Sequence, residues 1–348
     1  MSTWGKRFVM QVTLTLSFIM VPLLSGPQAA VLEEKQPPLS TSVSLLPLPV
    51  VYNTISIGAA HIWVTDEVGF FRKHGLDVAL NYVGGVLATQ AIVTGSYPIG
   101  FVSGTSVINA NLGGGRVKLV APGTNRMLYA LVTSRDITTP IQLKGKKVGI
   151  ARKGDASETA TRLAARELGL DPERDFTMLQ IGSSPERFAA LTAGTIDGMV
   201  ADPADVVRAK RQGFNVLLDL TTREIGYVAT AVAMSDAFIR DKRETALKFL
   251  RGFVEGAHYY KTHPEETVQI AAAHLKTTDL DMLRQAWKVF AERLIPKKPF
   301  PTIEDIQLTI QEVGTQNPAA KNATPEQFLD SSLMQEIDRS GFIDRLYR

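Results

Sequence analysis
Apolar positions along the chain fall into two alternating rhythms. Stretches that read as strands are residues 53–58, 76–82, 98–102, 117–121 and 128–133. Between them lie helical patterns at 62–73, 86–94 and 105–112. Ile62, Val68 and Phe71 supply the apolar face of the first helix, and His74-Gly75 closes it with a left-handed glycine cap. Gly113-Gly114-Gly115 ends the third. A second set follows: strands at 147–151, 177–181, 198–201 and 216–219, with helices at 157–168, 185–193 and 203–212. Ala164, Ala165 and Leu168 share one face of the helix at 157–168. After a strand at 227–234 the chain changes character. Residues 236–294 are almost wholly helical in pattern, as are 302–313 and 326–338.

Strands that alternate with short helices form βα units around a largely parallel sheet. The second set, 137–225, reads as an α/β unit inserted between 53–135 and 226–348. The fold class is therefore α/β, with two lobes: lobe I from 53–135 plus 226–348, including a helical C-terminal tail, and lobe II from 137–225. The hinge crossings fall near 135–141 and 221–227. A ligand crevice is expected beyond the strand ends, where the lobes meet.

The N-terminus is of a different kind. Lys6-Arg7 precede a 17-residue, mostly apolar run at 8–24, followed by Ser25-Gly-Pro-Gln-Ala-Ala30. A charged start, an apolar middle and a small-residue end make a secretory signal peptide over 1–30, with a periplasmic destination. An uncleaved membrane anchor is the alternative, although the run falls short of the ~20 residues a span requires. Residues 31–50 hold four prolines and read as a tether. Without residues 1–30, which carry Lys6 and Arg7 and no acid, 36 basic and 35 acidic residues remain. That balance, with no basic stripe, argues against a nucleic-acid partner. The chain has no cysteine, which excludes disulfides, thiolate metal sites and a lipid-modified N-terminal cysteine.

Candidate chemistry concentrates at helix starts. Ser103-Gly104-Thr105-Ser106 and Asp155-Ala156-Ser157-Glu158 each follow a strand and open a helix. Such starts offer backbone N–H groups and a positive dipole end to a polar ligand. Plain helix capping explains the same residues without a ligand. Gly182–Glu186 is a third capped start, and Asp202 ends the strand at 198–201, placed to hold an amine or a ring N–H. Tyr129 and Tyr227 lie near the crossings, where they serve either a ligand or the core; Arg152 lies close to Asp155. The five histidines show no metalloprotease spacing, no phosphate loop follows the glycines at 113–115, and no nucleophile elbow is present. No catalytic residue, metal or cofactor is expected.

Several words of the sequence, taken in order, resemble a known family: Val68-Gly-Phe-Phe-Arg-Lys-His-Gly-Leu-Asp-Val78, Ala91-Ile-Val-Thr-Gly95, Leu143-Lys-Gly-Lys-Lys-Val-Gly149, Ala190-Leu-Thr-Ala-Gly-Thr-Ile-Asp-Gly198 and Ser340-Gly-Phe-Ile-Asp344. The family is that of the type 2 periplasmic solute-binding proteins of ABC importers, in the nitrate/sulfonate/taurine and thiamine-precursor-binding superfamily. The resemblance implies a clamshell that captures a small organic molecule, anionic solutes among the candidates. It also implies a membrane permease as partner and a monomeric state. It places ligand contacts in the loop after the first strand, read as Ala60, His61 and Trp63, and at the two helix starts. With Asp202 and Tyr227, the expected binding set is His61, Trp63, Ser103, Gly104, Thr105, Ser106, Asp155, Ala156, Ser157 and Glu158. The alternative is an enzyme on the same fold, such as a pyrimidine- or menaquinone-pathway protein. The export signal separates the two, because those enzymes act inside the cell.

Overall fold
The first strand begins earlier than the pattern suggested. The computed structural model describes residues 44–315 and 317–348. In it β1 is Leu46–Tyr52, which begins inside the stretch 31–50 expected to be a tether, and residues 53–56 form the loop that follows. The expected leader at 1–30 and the first part of the tether lie outside the described residues. Two prolines give β1 the look of a tether. Odd-numbered positions of β1 direct their backbone away from β2 (Leu76–Tyr82), as the bonds Leu46 N to Gly75 O and Asn53 N to Phe101 O show. On that side β3 (Ile99–Val102) pairs only with Val50–Tyr52. Pro47 and Pro49 therefore remove no ladder hydrogen bond.

The remaining strands are β4 (Val117–Arg126), β5 (Ala130–Thr133), β6 (Lys146–Ile150), β7 (Phe176–Gln180), β8 (Gly198–Ala201), β9 (Asn215–Asp219) and β10 (Gly226–Ser235). They form two five-stranded sheets, ordered β2-β1-β3-β10-β4 and β7-β6-β8-β5-β9. Both sheets are mixed rather than largely parallel. β10 runs antiparallel to β3 and β4, and β5 runs antiparallel to β8 and β9. β5 was expected in the first lobe. It pairs instead with β8 and β9, so the first crossing is the short segment 127–129, not 135–141. A local hydrophobic run cannot reveal this, because both sheets offer an equally apolar place for Ala130–Thr133. The return crossing spans 223–225, between the turn Leu220–Thr222 and β10.

β10 is buried on both faces. Tyr227, Ala229, Val232 and Met234 join the main core, while Val228, Ala231 and Ala233 join a second cluster with Val107, Ile108 and Ile310. Helix Ala156–Glu167 is buried from Ala156 to Ala165: one side packs on β6 and β8, the other on helices Gly104–Leu112 and Ile303–Gly314 of the first lobe. The helix expected at 62–73 is broken into Ala60–Glu67 and Phe70–Lys73 by Gly69, whose φ of 88° lies in the left-handed region that glycine tolerates. The tail is helical in five pieces up to Leu294, the last a short π-helix, Phe290–Leu294. Among the described residues no helix is long and apolar enough to cross a membrane.

Candidate functional site
Both lobes line a cavity of about 290 Å³ at the strand ends. From the first lobe come the loop Asn53-Thr54-Ile55-Ser56, the turn at Tyr82 and Gly84-Gly85, Ser103, Thr124 and Thr230. From the second come Arg152, Asp155, Ala156, Gly182-Ser183-Ser184, Glu186, Arg187 and Asp202, with Tyr129 at the first crossing. Phe290, the first residue of the π-helix, closes one side.

Four helix starts converge here, and the protein's own side chains occupy each of them. Asp155 Oδ1 accepts from Ser157 N at 3.0 Å. Asp202 Oδ1 accepts from Ala204 N at 3.0 Å and Asp205 N at 3.1 Å. Glu186 Oε2 accepts from both the amide and the hydroxyl of Ser183, at 2.6 and 2.7 Å. Ser103 Oγ accepts from Ser106 N at 3.4 Å. Caps of this kind satisfy N–H groups that would otherwise be unpaired.

The site's electrostatics follow from burial. Asp155 is pushed above the usual carboxylate range by burial, against the pull of the Ser157 amide and the Arg187 charge. Asp202 is pushed higher still, first by burial and then by the neighbouring Asp205 charge. Glu186 goes the other way, because the Ser183 hydroxyl and amide hydrogen-bond its charged form. Burial raises the Tyr129 phenol far out of the physiological range. Arg187, only 3% exposed, donates from Nη1 to Gly182 O at 2.7 Å and from Nη2 to Val200 O at 3.4 Å. Its Nε has no partner.

Of the residues expected from sequence, the structure brings Ser103, Asp155, Ala156 and Asp202 to this cavity. The others lie elsewhere. His61 is wholly buried, with Nδ1 3.0 Å from Gly58 O and its ring edge-on to Phe101, Phe253 and Tyr260. Trp63 is buried, its ring covered by that of the surface residue His274, stacked at 4.5 Å. Gly104 is explained by β10, since a Cβ there would lie 2.5 Å from Val228 O. Thr105 binds the Tyr227 hydroxyl, so both are spent on each other. Ser106 is buried beside a different groove. Ser157 Oγ accepts from Ala151 N, and Glu158 accepts from Gly154 N and pairs with Arg162. The two outcomes part within a single turn: Ser103, and Asp155 with Ala156, reach the cavity, and the residues that follow them turn away from it.

The first strand starts seven residues before the pattern at 53–58, which moves the loop 53–56 into the site. The loop after the true strand, Asn53–Ser56, stands where Ala60, His61 and Trp63 were expected. Arg187 had a signal, an arginine in the first turn of the capped helix Ser184–Thr192. Phe290 had none, since it reaches the site from the distant helical tail.

Comparison with known proteins agrees with this architecture. Residues 57–267 match the family model described as NMT1/THI5 like. The riboflavin-binding protein RibY of Chloroflexus aurantiacus is 24% identical over 289 residues, 81% of each chain. Among solved structures, the periplasmic nitrate-binding protein NrtA of Synechocystis PCC 6803 superimposes with a TM-score of 0.71 at 12% identity, covering 85% of this chain and 89% of that one. The periplasmic aliphatic sulphonate binding protein SsuA of Escherichia coli gives 0.65 at 17% identity, covering 82% and 92%.

Proposed function
The chain belongs to the NMT1/THI5-like family, and on that footing we propose that it is an extracytoplasmic solute-binding protein serving an ABC importer. The observation that carries the proposal is the cavity itself, lined by both sheets' strand ends and by helix starts of both lobes. A solute touching both lobes stabilises their closed arrangement, which the membrane permease would recognise. The relatives named above as binding proteins support this reading. The Lys6-Arg7 start and the apolar run at 8–24 support export to the periplasm, with a mature chain that begins soon after Ala30. We read the protein as a monomeric carrier, not a catalyst.

The test is a thermal-shift screen of the purified mature chain against sulfonates, carboxylates, nitrate, pyrimidines, flavins and amino acids. A true ligand at a hundred times its dissociation constant adds about 2.7 kcal/mol of stability. Mass spectrometry of the exported chain gives the cleavage position. Full-length protein retained in the cytoplasm of a Gram-negative host, together with a silent screen, would refute the reading.

A further inference from the structure
Resting on the solute-binding reading, we infer that the cavity takes a solute that presents a hydrogen-bond-donating nitrogen to Asp202, a protonated amine or an N–H-bearing heterocycle, and rejects small oxyanions. Helix starts attract oxyanions through unpaired N–H groups. Here Asp155 and Asp202 already take N–H groups of their own helix starts, and the Glu186 carboxylate folds back onto the amide and hydroxyl of its cap residue Ser183. An oxyanion would enter beside two buried carboxyl groups, Asp155 at 8% and Asp202 at 5% exposure, which gain nothing from a second anion, with Arg187 the one guanidinium buried among them. Arg152, the other cavity arginine, is exposed, and its aliphatic chain lies over Gly85 at the rim.

Asp202 has the acceptor to spare. Both of its backbone bonds go to Oδ1, so among the described residues Oδ2 has no protein donor. Arg187 supplies the complementary group. It makes no ion pair among the described residues, and its partners are the Gly182 and Val200 carbonyls. Arg187 lines the cavity, and its guanidinium carries five N–H groups against the two bonds it makes, so it is the donor for an acceptor on the same solute. Tyr129 and Phe290 add aromatic walls, which favour cations and planar rings.

The test uses the mature chain and six probes: cytosine, adenine and 2-aminopyrimidine against ethanesulfonate, nitrate and inorganic phosphate. We expect at least one nitrogen probe to raise the melting temperature and no oxyanion to do so. Asp202→Asn keeps the helix cap, because asparagine caps as well as aspartate. In calorimetry it should weaken the active nitrogen probe at least tenfold, with the melting temperature of the free protein little changed. An oxyanion that stabilises the parent chain overturns the inference and leaves the solute-binding reading intact. Unweakened binding in Asp202→Asn overturns it as well. Silence from all six probes overturns it too, and the broader reading falls with it only if the wider screen is also silent.

Discussion

Thr105 Oγ1 lies 2.7 Å from the hydroxyl oxygen of Tyr227, in a pair that water scarcely reaches. Thr159 Oγ1 of the second lobe stands 3.4 Å from the same threonine oxygen. The three hydroxyls join helix Gly104–Leu112, β10 and helix Ala156–Glu167 beside the crossing between lobes. Thr105 is thus a structural hydroxyl behind the cavity rather than a ligand contact.

Thr105→Val should therefore lower stability by about 1–2 kcal/mol, the cost of leaving the buried Tyr227 hydroxyl short of its partner. Affinity for any solute should change little. Thr105→Phe should destabilise more, because a ring does not fit a site that is 1% exposed. Urea titrations and calorimetry on the same preparations read both effects. A Thr105→Phe protein of parental stability that binds nothing would return Thr105 to the site.

His61 makes stability pH-dependent. Burial lowers its pKa from 6.5 to about 4, since the folded core disfavours the charged ring. The unfolded chain binds the proton more readily, so the contribution is intact above pH 6.5 and is lost as pH falls toward 4. Linkage puts the total loss at about 3 kcal/mol. Chemical denaturation at pH 7, 6, 5 and 4 should show a steeper decline for the parent than for His61→Gln. Equal slopes would show that His61 does not titrate as its burial demands.

Arg166 of the second lobe pairs with Glu312 on helix Ile303–Gly314 of the first. Arg166 is partly exposed, so Arg166→Ala should cost only about 0.5–1 kcal/mol. Its clearer effect should be a larger population of open lobes in the solute-free protein. A distance reporter across the lobes, read at low and high salt, checks this; an unchanged distance distribution counts against a role for the pair in closure.

Helices Ala60–Glu67 and Arg243–Thr262 approach each other at Gly256, where an added Cβ would sit 1.7 Å from Thr65 Oγ1 and 3.0 Å from Thr65 Cα. Gly256→Ala should destabilise by about 3 kcal/mol, since Thr65 backbone as well as side chain must move. Helix propensity alone favours alanine by about 1 kcal/mol, so a stabilised variant would mean the two helices separate easily. Thermal melts decide the sign.

The chain's periodicity was enough to establish the βα alternation of the middle region, the helical tail and the capped starts at Ser103, Asp155 and Asp202. These are local properties: side-chain period, glycine stops and cap residues act within one or two turns. Tertiary structure alone decided the rest. Whether β5 joins one sheet or the other depends on partners 65 to 90 residues distant, β8 and β9. Prolines signal a loop until the neighbour missing on one side of β1 makes them harmless. His61 and Trp63 look like ligand groups beside a strand until Phe101, Phe253 and His274 enclose them. Arg187 and Phe290 reach the cavity only because the second lobe and the helical tail fold up against the same strand ends. Which face of a capped helix start meets solvent is a property of the packing around it, and no residue carries that information by itself.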